Sequence, residues 1–121
     1  MIVMVFEYRV QDYYYEEYLK EAVDLRPHLN EIEGFISIER FESKTEPGKF
    51  VSIGYFVDEK AVTAWRNTSE HRRVQALGRK KLFTDYRLCM ADVSRDYSMI
   101  RRDDVPEDSR LVHGCTEMTD V

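Results

Sequence analysis

Apolar and polar residues alternate along four segments of the chain, and this alternation predicts four β-strands. In residues 2–10, one face is apolar throughout, while the other is apolar in its first half and charged in its second half. Further strands are predicted over residues 35–42, 50–57 and 86–95, and a polar Pro-Gly turn joins the second and third as a hairpin. A strand that is apolar on both faces needs cover on both sides of the sheet.

The segment between the first two strands has a helical period. Between residues 12 and 34, apolar side chains recur at steps of three and four, which predicts a helix packed on the sheet. Asp12 is placed to cap its start, and Gly34 to end it. Pro27 predicts a kink or a restart, because proline lacks the backbone donor that a helix interior uses.

A split helix is predicted between the third and fourth strands. Asp58 is placed to cap a short helix carrying Trp65, and the cap-type residues 67–69 begin a second one. The resulting βαββαβ order predicts an α+β, ferredoxin-like fold with an antiparallel four-stranded sheet. Helices cover only one face of such a sheet, so the apolar other face predicts a homodimer in which two copies pack together.

Composition narrows the function without naming it. The length of 121 residues fits one domain, and 43% hydrophobic and 34% charged residues are typical of a soluble globular protein. A net charge of −5 argues against nucleic acid and anionic membranes as partners. The two cysteines form no disulfide framework, so a cytoplasmic location is the expectation. The three scattered histidines lack metal-ligand spacing, and no metal is predicted.

Four segments carry a resemblance to a known family: residues 34–41, 65–72, 78–79 and 85–87. They resemble the antibiotic biosynthesis monooxygenase (ABM) domain, whose members form dimeric α+β barrels. The resemblance covers about residues 1–97. It leaves residues 98–121 as a charged C-terminal tail, predicted to be disordered or packed on the partner subunit.

The resemblance implies several activities, because the family is chemically mixed. Some members oxidise polycyclic aromatic substrates with dioxygen and no cofactor, others bind haem and open its ring, and many have no known activity. The first hypothesis is therefore a monooxygenase that acts on a small aromatic or quinone-like substrate without a cofactor. The alternatives are a non-catalytic dimeric module that binds a small apolar ligand, and a haem-binding or haem-degrading protein.

The haem alternative can be compared residue by residue. The haem-degrading branch has an asparagine on the first strand, a tryptophan on the helix after strand three, and a histidine about ten residues further on. Trp65 matches the second feature, but the first strand has Phe6 and Glu7 and no asparagine. Gln75 stands ten residues after Trp65, and His71 lies one helical turn earlier.

Trp65 and His71 are the candidate catalytic residues. His71 near a helix N-terminus would tend to stay neutral and could take a proton from an acidic substrate, or it could be a surface residue that contacts a neighbouring chain. Trp65 could form a pocket wall, a core side chain or both. The candidate substrate-binding residues are four aromatic side chains and one cation: Tyr8, Tyr55, Phe56, Tyr86 and Arg79.

Overall fold

One antiparallel sheet forms the centre of the molecule in a computed structural model that describes residues 1–113. Its strands are β1 (Ile2–Val10), β2 (Phe35–Glu42), β3 (Lys49–Phe56) and β4 (Phe83–Asp92), in the spatial order β2-β3-β1-β4. This is the strand order of the ferredoxin-like fold, so the predicted fold class is confirmed.

The helices alternate with these strands in the predicted order. They are α1 (Tyr15–Asn30), α2 (Glu59–Arg66), α3 (Ser69–Leu77) and α4 (Glu107–His113), with a 3₁₀ turn at Asp12–Tyr14 and a π-helical turn at Gly78–Leu82. The Asp58 side chain caps α2 by accepting a hydrogen bond from the Ala61 N–H at 2.9 Å. Thr68 caps α3 in the same way.

Several local predictions differ from the structure. α1 ends at Asn30 and not at Gly34, and β4 ends at Asp92 and not at residue 95. Asp12 lies in the 3₁₀ turn, and α1 begins after it without a side-chain cap. Pro27 lies inside a continuous α1, so the predicted restart is wrong. The carbonyl that its ring crowds belongs to Val23, which is 69% exposed and can bond water instead. β4 begins at Phe83, three residues before its predicted start.

Two hydrophobic clusters fill the space between the helices and the sheet. Trp65 lies in the first, packed with Ile2 and Phe56 from the strands and with Leu29 from α1. The second consists of Tyr8, Tyr18 and Leu82, with aromatic side chains from β1, β3 and β4 around them. Met4 and Phe6 belong to the edges of the two clusters, so β1 connects them.

Ion pairs join α1 to the α3 region on the outer surface. The Arg73 guanidinium binds both carboxylate oxygens of Glu21, at 2.7 and 3.3 Å. Lys81 of the π-helical turn pairs with Glu17 at 2.9 Å. Surface pairs of this kind contribute little stability, but the bidentate geometry fixes how the two helices lie relative to each other.

The sheet face away from the helices is divided into an apolar half and a charged half. Val5 lies at the centre of the apolar half, between its register partners Ile53 and Cys89. In the charged half, Glu7 pairs with Arg87 at 3.3 Å and with Lys49 at 3.6 Å. Each half contains a depression, of 320 Å³ and 220 Å³ respectively.

The segment after β4 contains short-range structure of its own. Arg101 pairs with Asp96 at 2.6 Å, Val105 is buried, and α4 follows. The predicted tail therefore includes a helical segment, while its last residues, 114–121, lie outside the described part of the chain. No helix within residues 1–113 has the length and apolar character needed to cross a bilayer.

Candidate functional site

The indole of Trp65 and the imidazole of His71 stack face to face. Their ring centroids lie 4.3 Å apart with an interplanar angle of 17°. Trp65 lies in the last turn of α2 and His71 in the first turn of α3, so the turn at Asn67 and Thr68 folds one ring over the other. Trp65 is 6% exposed and is therefore a core side chain. The imidazole of His71 covers one face of its indole.

Hydrogen bonds fix the tautomer of His71. Its Nδ1 lies 3.2 Å from the carbonyl oxygen of Trp65, and a carbonyl only accepts, so Nδ1 carries the proton. Thr68 supports this arrangement: its hydroxyl donates to the same carbonyl at 3.0 Å and accepts from the His71 N–H at 3.2 Å. The lone pair of the neutral ring is then on Nε2, which is the nitrogen able to act as a base.

Burial keeps this imidazole neutral. Removal from water is the largest effect and lowers the pKa of His71 below its ordinary value of 6.5. The hydrogen bond to the Trp65 carbonyl raises this pKa by less, and the positive charge of Arg72 has a still smaller lowering effect. The direction agrees with the prediction from sequence, although the main physical cause is desolvation and not the helix end. A group with this pKa is unprotonated at neutral pH and can accept a proton.

Tyr8 and Phe56, two predicted ligand-binding residues, are core side chains on the helix-facing side of the sheet. They are 2% and 1% exposed. The hydroxyl of Tyr8 accepts a hydrogen bond from Tyr18 at 2.6 Å and lies 3.3 Å from the hydroxyl of Ser52. Sequence reasoning missed Tyr18 and Ser52, which look like ordinary helix and strand residues. Burial, followed by the contact with Tyr8, raises the pKa of Tyr18 far above its ordinary value.

We expect Tyr18→Phe to lower the free energy of unfolding by about 1–3 kcal/mol, because the buried Tyr8 hydroxyl loses its short hydrogen bond. Urea unfolding followed by circular dichroism measures this loss. Tyr13→Phe is the matched control, because Tyr13 is 88% exposed and its hydroxyl faces water. Equal unfolding midpoints for the two variants would show that the buried pair adds no stability.

Tyr55 does not join the other predicted ligand-binding residues. Its register partner on β1 is Val3, so it lies on the open face of the sheet, where it lines the 320 Å³ depression with Ile53 and Phe41. Side chains alternate between faces along a strand, and Phe56, the next residue, therefore packs beneath the helices.

Tyr86 and Arg79 contact each other directly. The guanidinium of Arg79 donates to the Tyr86 hydroxyl at 2.5 Å. A shift in the β1–β4 register between Arg9 and Val10 marks a bulge, which lets Phe83 and Tyr86 share the helix-facing side although they are three residues apart. The π-helical turn and this bulge lie next to each other, and both irregularities are frequent near functional sites.

The residues around Trp65 do not reproduce a haem site. The imidazole of His71 covers one face of the indole, and its Nδ1 is already bonded to a backbone carbonyl. β1 places Phe6 against Tyr8 and Phe83, in an aromatic contact where the haem-degrading branch has an asparagine.

Fold and sequence comparisons together define the class and the family. The ferredoxin-like architecture is shared with solved structures such as Rv0793 from Mycobacterium tuberculosis, with a TM-score of 0.71 and 11% identity over 80% of this chain and 98% of that one. SO0527 from Shewanella oneidensis gives a TM-score of 0.66 and 19% identity over 74% and 87% of the two chains. A model of the antibiotic biosynthesis monooxygenase family matches residues 1–77, and the chain belongs to that family.

A fungal relative adds a more specific similarity. The protein named jasmonate monooxygenase ABM from Pyricularia oryzae is 37% identical to this chain over 94 residues. The match includes 78% of this chain but only 44% of that protein, so the chain spans less than half the length of its relative.

Proposed function

We propose that the protein is a monooxygenase that needs no cofactor and acts on a small aromatic or quinone-like molecule with an acidic C–H bond. The observation that carries this proposal is the His71 imidazole, which is partly buried, neutral and held with Nε2 as its basic nitrogen. Membership of the ABM family supports the reaction class. Trp65 positions the base through its ring and its carbonyl oxygen.

The chemistry requires the substrate to supply the electrons. His71 removes a proton from a carbon next to a carbonyl group, and the resulting electron-rich anion reduces dioxygen and combines with it to form a peroxide. Loss of water from the peroxide converts the methylene carbon to a carbonyl. The balance is one CH2 group and one O2 giving one C=O and one H2O, so no external reductant is consumed.

Oxygen consumption by the purified protein tests this proposal. With anthrone, a tricyclic ketone that has an acidic methylene group, we expect catalysed O2 uptake that persists with a metal chelator and without added flavin. Labelled dioxygen should place one atom in the new carbonyl and one in water. The relative's name makes jasmonate the second substrate to assay. Uptake no faster than the protein-free reaction for both compounds would refute the proposal.

We further propose that two copies pack through the open sheet faces. Val5, Ile53 and Cys89 form an apolar centre there that the chain's own helices do not cover. A self-complementary two-fold interface would remove this surface from water and leave the helix-facing site of each copy accessible.

Ile53→Glu should convert this dimer into a single chain of 14.4 kDa, because it places a charge in the centre of the apolar half. Light scattering coupled to size-exclusion chromatography measures the mass. Ala64→Glu adds the same charge on the exposed surface of α2 and should remain dimeric. A wild-type protein that elutes as one chain at all concentrations would contradict the proposed assembly.

A further inference from the structure

The helix-facing side of β4 carries a row of exposed apolar side chains. Tyr86, Leu88 and Met90 are 40%, 54% and 37% exposed, although they point to the same side as the protein core. Their partners on β1 are Tyr8, Phe6 and Met4, which pack into the two clusters beneath the helices. The helices therefore cover β1 and β3 and leave the row on the edge strand open.

A cation that has no acidic partner among residues 1–113 lies at one end of this row. Arg79 binds the Tyr86 hydroxyl, and among residues 1–113 it forms no ion pair with a carboxylate. A guanidinium held by a neutral hydroxyl retains free donors for an anion.

The turn that carries Arg79 is held in place by hydrogen bonds from Gln11 and by close packing of Gly78 against Phe83. The Gln11 backbone N–H donates to the Leu82 carbonyl at 2.9 Å, and its side chain donates to the Lys81 carbonyl at 2.6 Å. Gly78 allows the Phe83 ring to approach, since a Cβ at this position would lie 2.6 Å from that ring. A guanidinium on a fixed turn is positioned before a ligand arrives, which reduces the entropy that binding costs.

The dimensions and charge of the row favour a small anionic molecule. Tyr86 and Met90 are four residues apart, which is about 13 Å along a strand. Three side chains provide far less than the roughly 800 Å² per partner of a stable protein interface. The protein has a net charge of −5, so an anion would be attracted by a local cation and not by the overall field.

We propose that Arg79 and Tyr86 bind the carboxylate of an apolar substrate whose body lies along Leu88 and Met90. The other end of the molecule would then lie beside Met90, which is opposite Met4 on β1, and Met4 packs against the cluster that contains Trp65. The proposal deepens the proposed function, on which its catalytic relevance rests, by naming the substrate class as small apolar carboxylates.

Binding of jasmonate and of methyl jasmonate tests the proposal directly, because the two share an apolar body and only the first is charged. Calorimetric titration of the dialysed protein should show tighter binding of the acid. Arg79→Gln should weaken binding of the acid about 10- to 100-fold, as expected for loss of a charged hydrogen bond. The affinity for the ester should not change. Lys80→Gln removes the same charge from the neighbouring exposed residue and should change neither affinity.

The proposal would be overturned if the wild type bound acid and ester equally well or bound neither measurably. It would also be overturned if Arg79→Gln and Lys80→Gln lost equal affinity for the acid. A fourth contrary result would be that Leu88→Asp changes subunit association and leaves binding unchanged. The last would make the row part of a protein interface. Turnover is measured separately. Binding with the expected Arg79 dependence but no O2 uptake with anthrone or jasmonate would support the carboxylate site and refute the oxygenase.

Discussion

His71→Ala is expected to lower turnover by about 10²- to 10⁴-fold, which is the usual contribution of a general base. The physical reason is that the variant loses the basic Nε2 whose availability depends on the bond from Nδ1 to the Trp65 carbonyl. Initial rates of O2 uptake at saturating substrate measure the effect. His28→Ala is the matched control, because His28 is an exposed histidine on α1 that pairs with Glu70 at 3.7 Å and lies outside the Trp65–His71 stack.

The pH profile separates a catalytic role of His71 from a structural one. Activity should be constant at neutral pH and above and fall in acid with a midpoint below 6.5, because partial burial lowers the pKa of the base. The stability of the fold should also decrease towards acid pH. The unfolded chain binds this proton more readily than the folded chain, so stability decreases as pH falls through 6.5, and His71→Ala should lack that component.

A wild-type rate in His71→Ala at neutral pH would remove the imidazole from the mechanism. A variant that is slow but also unfolds at a much lower temperature would be uninformative by itself, so His71→Gln is measured beside it. Glutamine retains a donor for the Trp65 carbonyl and cannot accept the substrate proton as a base. Low activity of a well-folded His71→Gln protein would support the proposed role, and full activity would refute it.

Trp65→Ala is expected to lower the free energy of unfolding by about 3–5 kcal/mol. Trp65 is 6% exposed and packs between Ile2, Phe56 and Leu29, so its removal leaves a cavity and also uncovers the imidazole. Domains are stable by about 5–15 kcal/mol in total, so this loss is a large fraction of the stability of the protein. Urea unfolding followed by far-ultraviolet circular dichroism measures the change.

Two controls determine what the indole contributes. Trp65→Phe retains an aromatic ring and should lose less stability than Trp65→Ala. Tyr13→Ala removes a ring that is 88% exposed and should change stability little. Similar losses of unfolding free energy for Trp65→Ala and Tyr13→Ala would show that packing of the indole does not stabilise the core.

The sequence predicted the order of elements because their signals are local. The alternation in β1 and the three- and four-residue steps in α1 reflect directly which faces are buried. The start of β4 was not predictable in this way. The π-helical turn before β4 is held by hydrogen bonds from Gln11, which is about 70 residues away in sequence, and the bulge before Tyr86 appears only when β4 pairs with β1.

The candidate site was predictable as a set of residue types but not as an arrangement. Tyr55 and Phe56 are neighbours in sequence, and the strand places them on opposite faces of the sheet. Trp65 and His71 are six residues apart, and their stacking depends on the turn at Asn67 and Thr68 that separates α2 from α3. Neither spacing nor residue type contains this information, because it arises only when both helices pack on the sheet.

The Trp65–His71 stack also gives the protein an internal optical reporter. Trp65 is the one tryptophan of the 121-residue chain, so its emission is free of contributions from other indoles. A neighbouring imidazolium accepts an electron from an excited indole, whereas a neutral imidazole does so poorly. With 4.3 Å between the rings, protonation of His71 should dim the emission, and fluorescence against pH would titrate this one histidine in the intact protein.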